Sequence, residues 1–351
     1  MLRVIQWATG GVGKAAIEAV VQHPELELVG CWVHSAEKDG MDVGEIVGRA
    51  PLGVRASARI DDILGLDADA VVYAPIIPNA DEVAALLRSG KNVVTPVGWF
   101  YPTASDGAAL EAACQDGGTS LHGTGINPGG ITELHPLMFS ALSSAVTFVR
   151  GEEFSDIRTY NAPDVVRWIM CFGATPDEAM KSPMLKVLSG GFIQSVRMCL
   201  DVLGFAPSAQ IRTNQEVAVA TAPIDSPIGV IEAGLVAAQR FQWEAVVGSE
   251  VVVRIAVNWL MGEEHLEPAW TFGPEGERFE VEVRGDPDCF VTIKGWQPAS
   301  VEAGLVRNPG IVATAVHCVN SIPYVVAAPA GIRTYRDLPL IAGRAAPHLS
   351  R

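Results

Sequence analysis

Leu2-Arg3-Val4-Ile5-Gln6-Trp7 reads as a strand, Ala8-Thr9-Gly10-Gly11-Val12-Gly13 as a tight turn, Lys14 to Gln22 as a helix and Leu26 to Val33 as a second strand. This βαβ order, with glycines where strand turns into helix, suits a pyrophosphate. Gly10 lets the backbone come close, Gly13 lets the helix pack on the strand, and the free N–H groups of the helix N-terminus receive negative charge. Thr9, Gly10, Gly11, Val12 and Gly13 are therefore the expected phosphate cradle, with Ala8 standing where the GxGxxG fingerprint has its first glycine. A dinucleotide site that prefers NAD places an Asp or Glu about twenty residues further on, to hold the ribose 2′-hydroxyl. The corresponding stretch here, Gly30-Cys31-Trp32-Val33-His34-Ser35-Ala36-Glu37-Lys38, has no acid at the strand end. His34, Ser35 and Lys38 are the expected donors to a 2′-phosphate, which favours NADP and leaves NAD possible.

Composition narrows the class of protein. The 351 residues are 49% hydrophobic and 19% charged, as in an ordered globular chain long enough for two cores. A formal net charge of −15, with no basic run, argues against a nucleic-acid partner, which needs clustered Lys and Arg. Six cysteines, Cys31, Cys114, Cys171, Cys199, Cys289 and Cys318, form no CxxC pair, so neither a metal site nor a disulfide framework is expected. The chain enters a strand at once, without a charged-then-apolar leader, and the apolar run from Ile311 to Ala330 is broken by His317, Asn320 and two prolines. A cytoplasmic protein with no membrane span follows as the expectation.

Beyond the opening unit, Ala36 to Arg59 reads as loop with a short helix near Val43 to Val47. Asp61 to Leu66 reads as a helix capped by Asp61, and Ala68 to Ala74 as a buried parallel strand. A helix at Asp81 to Ser89, a strand at Asn92 to Thr95, a helix near Ser105 to Gln115 and a strand at Thr119 to Gly123 continue the alternation of a doubly wound parallel sheet. After Glu133 the pattern changes. Phe148 to Ile157 is strand-like, Val165 to Phe172 helical, and Pro176 to Leu203 helical around a break at Gly190-Gly191. Strands follow at Gln215 to Ala222, Val236 to Val247, Glu250 to Met261, Arg278 to Arg284 and Phe290 to Lys294, joined by short turns, which suggests an antiparallel sheet with helices on one face. Val301 to Ala327 is helical again, interrupted or capped at Asn308-Pro309-Gly310, and is expected to return to the first domain. The expected fold class is α/β, with domains at 1–132 completed by 301–351 and at 133–300.

Ligands of an open parallel sheet bind at the carboxyl ends of its strands. The loops there are the opening turn, Ala74-Pro75-Ile76-Ile77-Pro78, Thr95-Pro96-Val97-Gly98-Trp99-Phe100-Tyr101-Pro102, and Gly123-Thr124-Gly125-Ile126-Asn127-Pro128-Gly129-Gly130. Ala74, Pro75, Thr95 and Gly125 are thus candidate cofactor contacts. Asn127 is suited to pair its amide with the nicotinamide carboxamide; the alternative is a hinge turn in which Asn caps locally.

Three stretches together, Gln6 to Gly13, Leu28 to Ser35 and Gly123 to Gly129, resemble the family of 2,4-diaminopentanoate dehydrogenases and native amine dehydrogenases, whose N-terminal domain is of the dihydrodipicolinate reductase type. The resemblance implies an N-terminal Rossmann domain plus an α+β substrate domain with a mainly antiparallel sheet. It also implies a homodimer and NAD(P)-dependent deamination of an amine or amination of a ketone. Amine dehydrogenases of this kind place a Glu, the acid/base for the amine, in the loop after the fifth strand, where this chain has Gly98-Trp99-Phe100-Tyr101. The His-His…Lys motif of dihydrodipicolinate reductase and the Glu-Lys-Pro motif of glucose–fructose-type oxidoreductases are both absent.

Reduction of a carbonyl or imine needs a proton donor within hydrogen-bond reach of the reacting group. The candidates are Tyr101 in the loop after the fifth strand, Glu133 at the start of the helix after Gly130, and His265 in Glu263-Glu264-His265-Leu266-Glu267-Pro268. Each has a structural alternative: a pocket wall for Tyr101, a helix N-terminal charge for Glu133 and a solvated loop position for His265. Few Arg and Lys in these loops point to a small or medium, mostly apolar substrate. The expected activity is hydride transfer between a nicotinamide and a ketone, imine or amine. A carbonyl or enone reductase that needs no ammonia, and a dinucleotide-binding sensor without turnover, are the alternatives.

Overall fold

The computed structural model describes residues 1–349, so Ser350 and Arg351 at the end of the closing segment lie outside the described residues. The chain forms two compact units, residues 1–126 with 311–351, and residues 127–310.

In the first unit the strands are β1 (Leu2–Trp7), β2 (Leu26–Trp32), β3 (Ala56–Ser57), β4 (Ala70–Tyr73), β5 (Asn92–Thr95) and β6 (Ser120–Gly123). Their spatial order is β6-β5-β4-β1-β2-β3, with Gly331–Ile332 added beside β6, and every pairing is parallel. Strands β4, β5 and β6 are buried at every residue, as strands covered on both faces must be. Helices α1 (Gly11–Gln22), α2 (Val43–Ile46), α3 (Ile60–Leu64), α4 (Ala80–Arg88) and α5 (Ala104–Gly117) connect them. Neighbouring residues of β1 serve opposite faces: Val4 joins a core with Ala16, Ile17 and Val20 of α1, and Ile5 joins one with Leu86, Leu87 and Leu110 of α4 and α5. The order reverses between β1 and β4, which makes the carboxyl ends of these two strands the switch point of the sheet.

The second unit carries β7 (Ser144–Asp156), β8 (Gln210–Ala220), β9 (Val236–Val247), β10 (Glu250–Leu260), β11 (Leu266–Glu267), β12 (Arg278–Asp286) and β13 (Cys289–Ile293). They lie in the order β11-β8-β9-β10-β7-β12-β13. Its helices are α6 (His135–Ser140), α7 (Pro176–Lys181), α8 (Met184–Leu203) and α9 (Val301–Val306). Helix α8 covers β9 and β10, with the Phe192 ring stacked on Trp243 at 4.1 Å. Alternate residues of β7 point away from this core, and there Arg150 pairs with Glu152, Glu280 and Glu282. The chain then leaves through α10 (Pro309–Val326), whose Ala315, Cys318, Val319, Ile322 and Val325 lie in the same core as Val4, Val72 and Val94. The segment Val301–Val326 is long and apolar enough by composition to cross a membrane, a test that an interior helix also passes.

Several elements depart from the pattern of the sequence. Helix α8 runs unbroken through Gly190-Gly191. Two helical glycines cost about 1 kcal/mol each, less than is gained by burying Phe192, Val196 and Cys199 on one face. Asp61 does not cap α3, which begins at Ile60 after Arg59; Asp61 and Asp62 lie in its first turn, where their charges suit the helix dipole. Val165–Ile169 is a single π-helical turn instead of a helix to Phe172. Glu133 lies in a π-helical turn, Gly130–Leu134, that precedes α6. The second sheet is mixed, because β7 and β10 pair in parallel. Both β3 and Gly331–Ile332 are two-residue strands, too short to leave an alternation in the sequence.

Candidate active site

The glycine turn is built around close approaches. A Cβ on Gly13 would lie 2.2 Å from the Ala8 carbonyl oxygen, so only glycine lets α1 start this near the end of β1. Ala8 itself has φ 71°, the left-handed conformation that the missing glycine would adopt at lower cost. Its N–H donates to the Trp32 carbonyl at 3.0 Å, and the Gln6 Nε2 donates to its carbonyl at 3.0 Å. Gly10 is the N-cap of α1, makes no side-chain capping bond, and a Cβ there would meet nothing within 4 Å. The first turn, which includes Gly11 and Val12, has no acidic residue. An uncapped, acid-free helix start facing open space is suited to a phosphate.

Parallel pairing puts the other strand ends on the same edge of the sheet. Beyond β2, His34 is exposed with its ring 6.1 Å from that of Trp32, and Ser35 opens the turn Ala36–Lys38 without a side-chain capping bond. The Lys38 ammonium donates to Thr9 Oγ1 at 3.1 Å, which ties the end of β2 to the glycine turn. Ala74 and Pro75 follow β4. Thr95 closes β5, fully buried, with its hydroxyl accepting from the Val97 N–H at 3.2 Å. After β6 the Thr124 hydroxyl bonds the Tyr335 hydroxyl, which meets His317 Nε2 at 2.8 Å, and Gly125 follows with φ 153°. The polar groups of this edge fit a dinucleotide: backbone N–H donors for the pyrophosphate, and Lys38 with His34 and Ser35 for a ribose substituent.

The expected acid/base residues occupy three different settings. Tyr101, in the first unit, accepts at its hydroxyl from Arg336 Nη1 at 3.0 Å. Glu133 is fully buried in the second unit, where the Ser195 hydroxyl donates to its Oε1 at 2.6 Å and its Oε2 has no hydrogen-bond partner among the described residues. Burial pushes this carboxyl up to about 8, against the downward pull of Ser195. His265 is exposed, has φ 60°, and its carbonyl accepts from the Thr221 N–H at 2.8 Å. Among the described residues no hydrogen bond links Glu133 to His265.

Asn127 is placed differently from a free amide. Its Nδ2 donates to Glu153 Oε2, while its Oδ1 is buried without a hydrogen-bond partner among the described residues. The Asn127 Oδ1 is therefore left to accept from a ligand. Glu153 Oε1 accepts from the Trp259 indole N–H at 3.1 Å, and Tyr160 lies close enough for the Glu153 charge to raise its phenol. Burial pushes Glu153 above the usual carboxylate range, in part offset by the donors Ser155, Asn127 and Trp259. The Glu153 carboxyl does not stand out when motifs are sought, yet a local signal exists. The doublet Glu152-Glu153 within a strand sends one carboxylate to each face of the sheet, so one of them must enter the covered side.

A doubly wound parallel sheet with this turn at its switch point, joined to a separate mixed sheet, defines an NAD(P)-dependent oxidoreductase. The 2,4-diaminopentanoate dehydrogenase C-terminal domain matches residues 138–347, and the dihydrodipicolinate reductase N-terminus matches residues 4–95. The chain is 31% identical over 360 residues to an amine dehydrogenase of Streptomyces virginiae, covering 97% of each protein. It is 26% identical over 266 residues to the 2,4-diaminopentanoate dehydrogenase of Acetoanaerobium sticklandii, covering 74% of this chain and 70% of that protein. Its fold resembles the solved amine dehydrogenase of Mycobacterium smegmatis, with a TM-score of 0.77 at 20% identity over 98% of this chain and 97% of that one. The chain belongs to the 2,4-diaminopentanoate dehydrogenase family.

Proposed function

We propose that the protein interconverts a small to medium, mostly apolar ketone and the corresponding amine, with NADP(H) preferred over NAD(H). What carries this assignment is the open, uncapped start of α1, in a chain that matches an amine dehydrogenase along 97% of its length. When bound, the nicotinamide ring supplies or takes up the hydride. The protein's own part is to hold the pyrophosphate on the N–H groups of Gly10 to Gly13 and a 2′-phosphate on Lys38, His34 and Ser35. The Asn127 Oδ1 receives the carboxamide N–H, while Ala74, Pro75, Thr95 and Gly125 wall the remainder. An apolar substrate is supported by the loop after β5, where Trp99 and the buried Phe100 stand in place of charged residues. Tyr101 and His265 are assigned to the substrate side, and Glu133 to a proton store that stays protonated below about pH 8. A homodimer is the proposed assembly, following the family resemblance, and light scattering measures it directly.

The same loop lacks a carboxylate, and this favours a second reading, a carbonyl reductase that needs no ammonia. One assay separates the two. NADPH and NADH oxidation is followed with butanone, 2-hexanone, cyclopentanone and acetophenone, each with and without high ammonium. Ammonium-dependent consumption that yields the amine, faster with NADPH, is the expected result. Equal consumption without ammonium establishes the carbonyl reductase, and binding without turnover of any substrate leaves a dinucleotide sensor.

A further inference from the structure

Resting on the amine reading above, we infer that Glu153, held by Asn127 and Trp259, is the acid/base for the substrate nitrogen and replaces the carboxylate that the loop after β5 lacks. Glu153 is on the covered face of β7. Two residues earlier on that face, a Cβ on Gly151 would lie 2.4 Å from the Ile131 carbonyl oxygen, so the segment following Asn127 lies directly over the strand. The register sets Val257 of β10 and Phe279 of β12 on either side of Glu153, and Trp259 follows on β10. An apolar and aromatic wall with one carboxyl in it is suited to an alkylamine: the alkyl group is desolvated while the nitrogen keeps a charged partner.

Chain connectivity limits the distance of Asn127 from the end of β6. Asn127 follows Gly123, the last residue of β6, by four residues, at most ~14 Å of chain. Its amide donates to Glu153 and has an acceptor left over. An Asn that receives the carboxamide with Oδ1 and binds Glu153 with Nδ2 couples the acid/base to the group that exchanges hydride. Both Glu153 oxygens already accept N–H donors, which favours the carboxylate, while burial favours the acid. The group is thereby able to take up and return a proton. The ionisable neighbours on which its charge acts are Tyr160 and Glu277; Glu277 is pushed up to about 7, chiefly by burial, and has Asp156 and Arg158 beside it.

In the deaminating direction the Glu153 carboxylate removes one proton from the alkylammonium group of the substrate and frees the nitrogen lone pair. The carbon that bears the nitrogen then loses hydride, with its two electrons, to the oxidised dinucleotide, and the C–N bond becomes an iminium. Water adds to that carbon and releases a proton. Glu153 returns its proton to nitrogen, the C–N bond breaks as the hydroxyl releases its proton to form the ketone, and the departing ammonia takes up that proton as ammonium. In sum, the alkylammonium ion, NADP+ and water give the ketone, NADPH, ammonium and one proton.

The test compares wild type with Glu153→Gln, Glu153→Asp and Glu153→Ala. In Glu153→Gln, ammonium-dependent turnover falls on the order of a hundred-fold or more, while NADPH affinity by fluorescence titration and the melting temperature stay near wild type. Formate partly restores Glu153→Ala, because a small acid can occupy the emptied carboxyl position. Should the Gln variant fail to fold, Glu153→Asp keeps the charge and the decision rests on its turnover, lowered at unchanged NADPH affinity. Turnover within ~2-fold of wild type in Glu153→Gln, or a parallel fall in NADPH affinity with no formate rescue, overturns the assignment. A wild-type chain whose turnover ignores ammonium overturns the amine reading instead, and this role of Glu153 with it.

Discussion

Glu133 shows how much a single buried carboxyl can ask of a fold. An unfolded Glu titrates near ~4.3, whereas burial holds the folded group at about 8. Between these values the native chain retains a proton that the unfolded chain has released. The stabilisation is therefore complete below the ordinary carboxylate range and is lost as pH rises through about 8, at up to ~1.4 kcal/mol per pH unit. Glu133→Gln removes the titration and keeps an acceptor for the Ser195 hydroxyl. Urea unfolding at about pH 5 and about pH 9 is expected to show a large loss of stability in wild type and a clearly smaller one in the variant, where the raised carboxyls of Glu153 and Glu277 still titrate. An equally steep loss in Glu133→Gln would assign the pH dependence to other groups. The residue scale also explains Ala8. It is the one departure from the glycine fingerprint, and the chain holds it at φ 71° between bonds from Gln6 and to Trp32. The turn conformation is kept although the side chain resists it.

Among the elements, α8 makes the clearest quantitative case. Gly190 is exposed within it, and a Cβ there would meet nothing within 4 Å. Gly190→Ala should stabilise the second unit by about 0.5–1 kcal/mol through the lower entropy of its unfolded chain, seen as a small rise in melting temperature. A fall would mean that the glycine serves a contact on this surface. The same helix shows where sequence patterns lose their hold. A continuous apolar run such as Ala70-Val71-Val72-Tyr73, bounded by turn residues, reads as a strand buried on both faces, and the glycines of Gly10 to Gly13 mark the junction at which β1 passes into α1, so the parallel sheet and its glycine turn are legible from local pattern. The Gly190-Gly191 pair looks like a break because the burial that overrides it comes from β9 and β10. Glu133 looks like a helix-start charge because Ser195, its partner, lies far along the chain. The Lys38 bond to Thr9 and the Asn127 bond to Glu153 also join residues far apart in the chain, and the parallel pairing of β7 with β10 is a property of the assembled sheet. Even so, Glu152-Glu153 carried its own notice, since adjacent charges in a strand cannot both avoid the core.

At the scale of the molecule, the two units differ in how they use the chain. The second is one uninterrupted segment with its own core, whereas the first is closed by residues from both ends. From α10, the side chains of Ala315, Cys318, Val319, Ile322 and Val325 are at most 1% exposed in the core shared with α1 and β4. Beyond them Gly331–Ile332 pairs with β6, His122 Nδ1 meets the Arg333 carbonyl oxygen at 2.7 Å, and Tyr335 holds Thr124. Each large apolar side chain contributes about 1.5–3 kcal/mol when buried, and a domain as a whole is stable by only about 5–15 kcal/mol. Ending the chain at Gly310 therefore removes more than the first unit can lose. Its core opens, and the edge bearing the glycine turn loses the support of α10. A chain of residues 1–310 is expected to lose NADPH binding by fluorescence titration while one cooperative melting transition, that of the second unit, persists. Residues 127–310 alone should reproduce that transition and the β-rich circular dichroism that accompanies it. NADPH binding at wild-type affinity by residues 1–310 would show that α10 is dispensable to the first unit. A non-cooperative melt of residues 127–310 would show that the second unit draws stability from the rest of the chain.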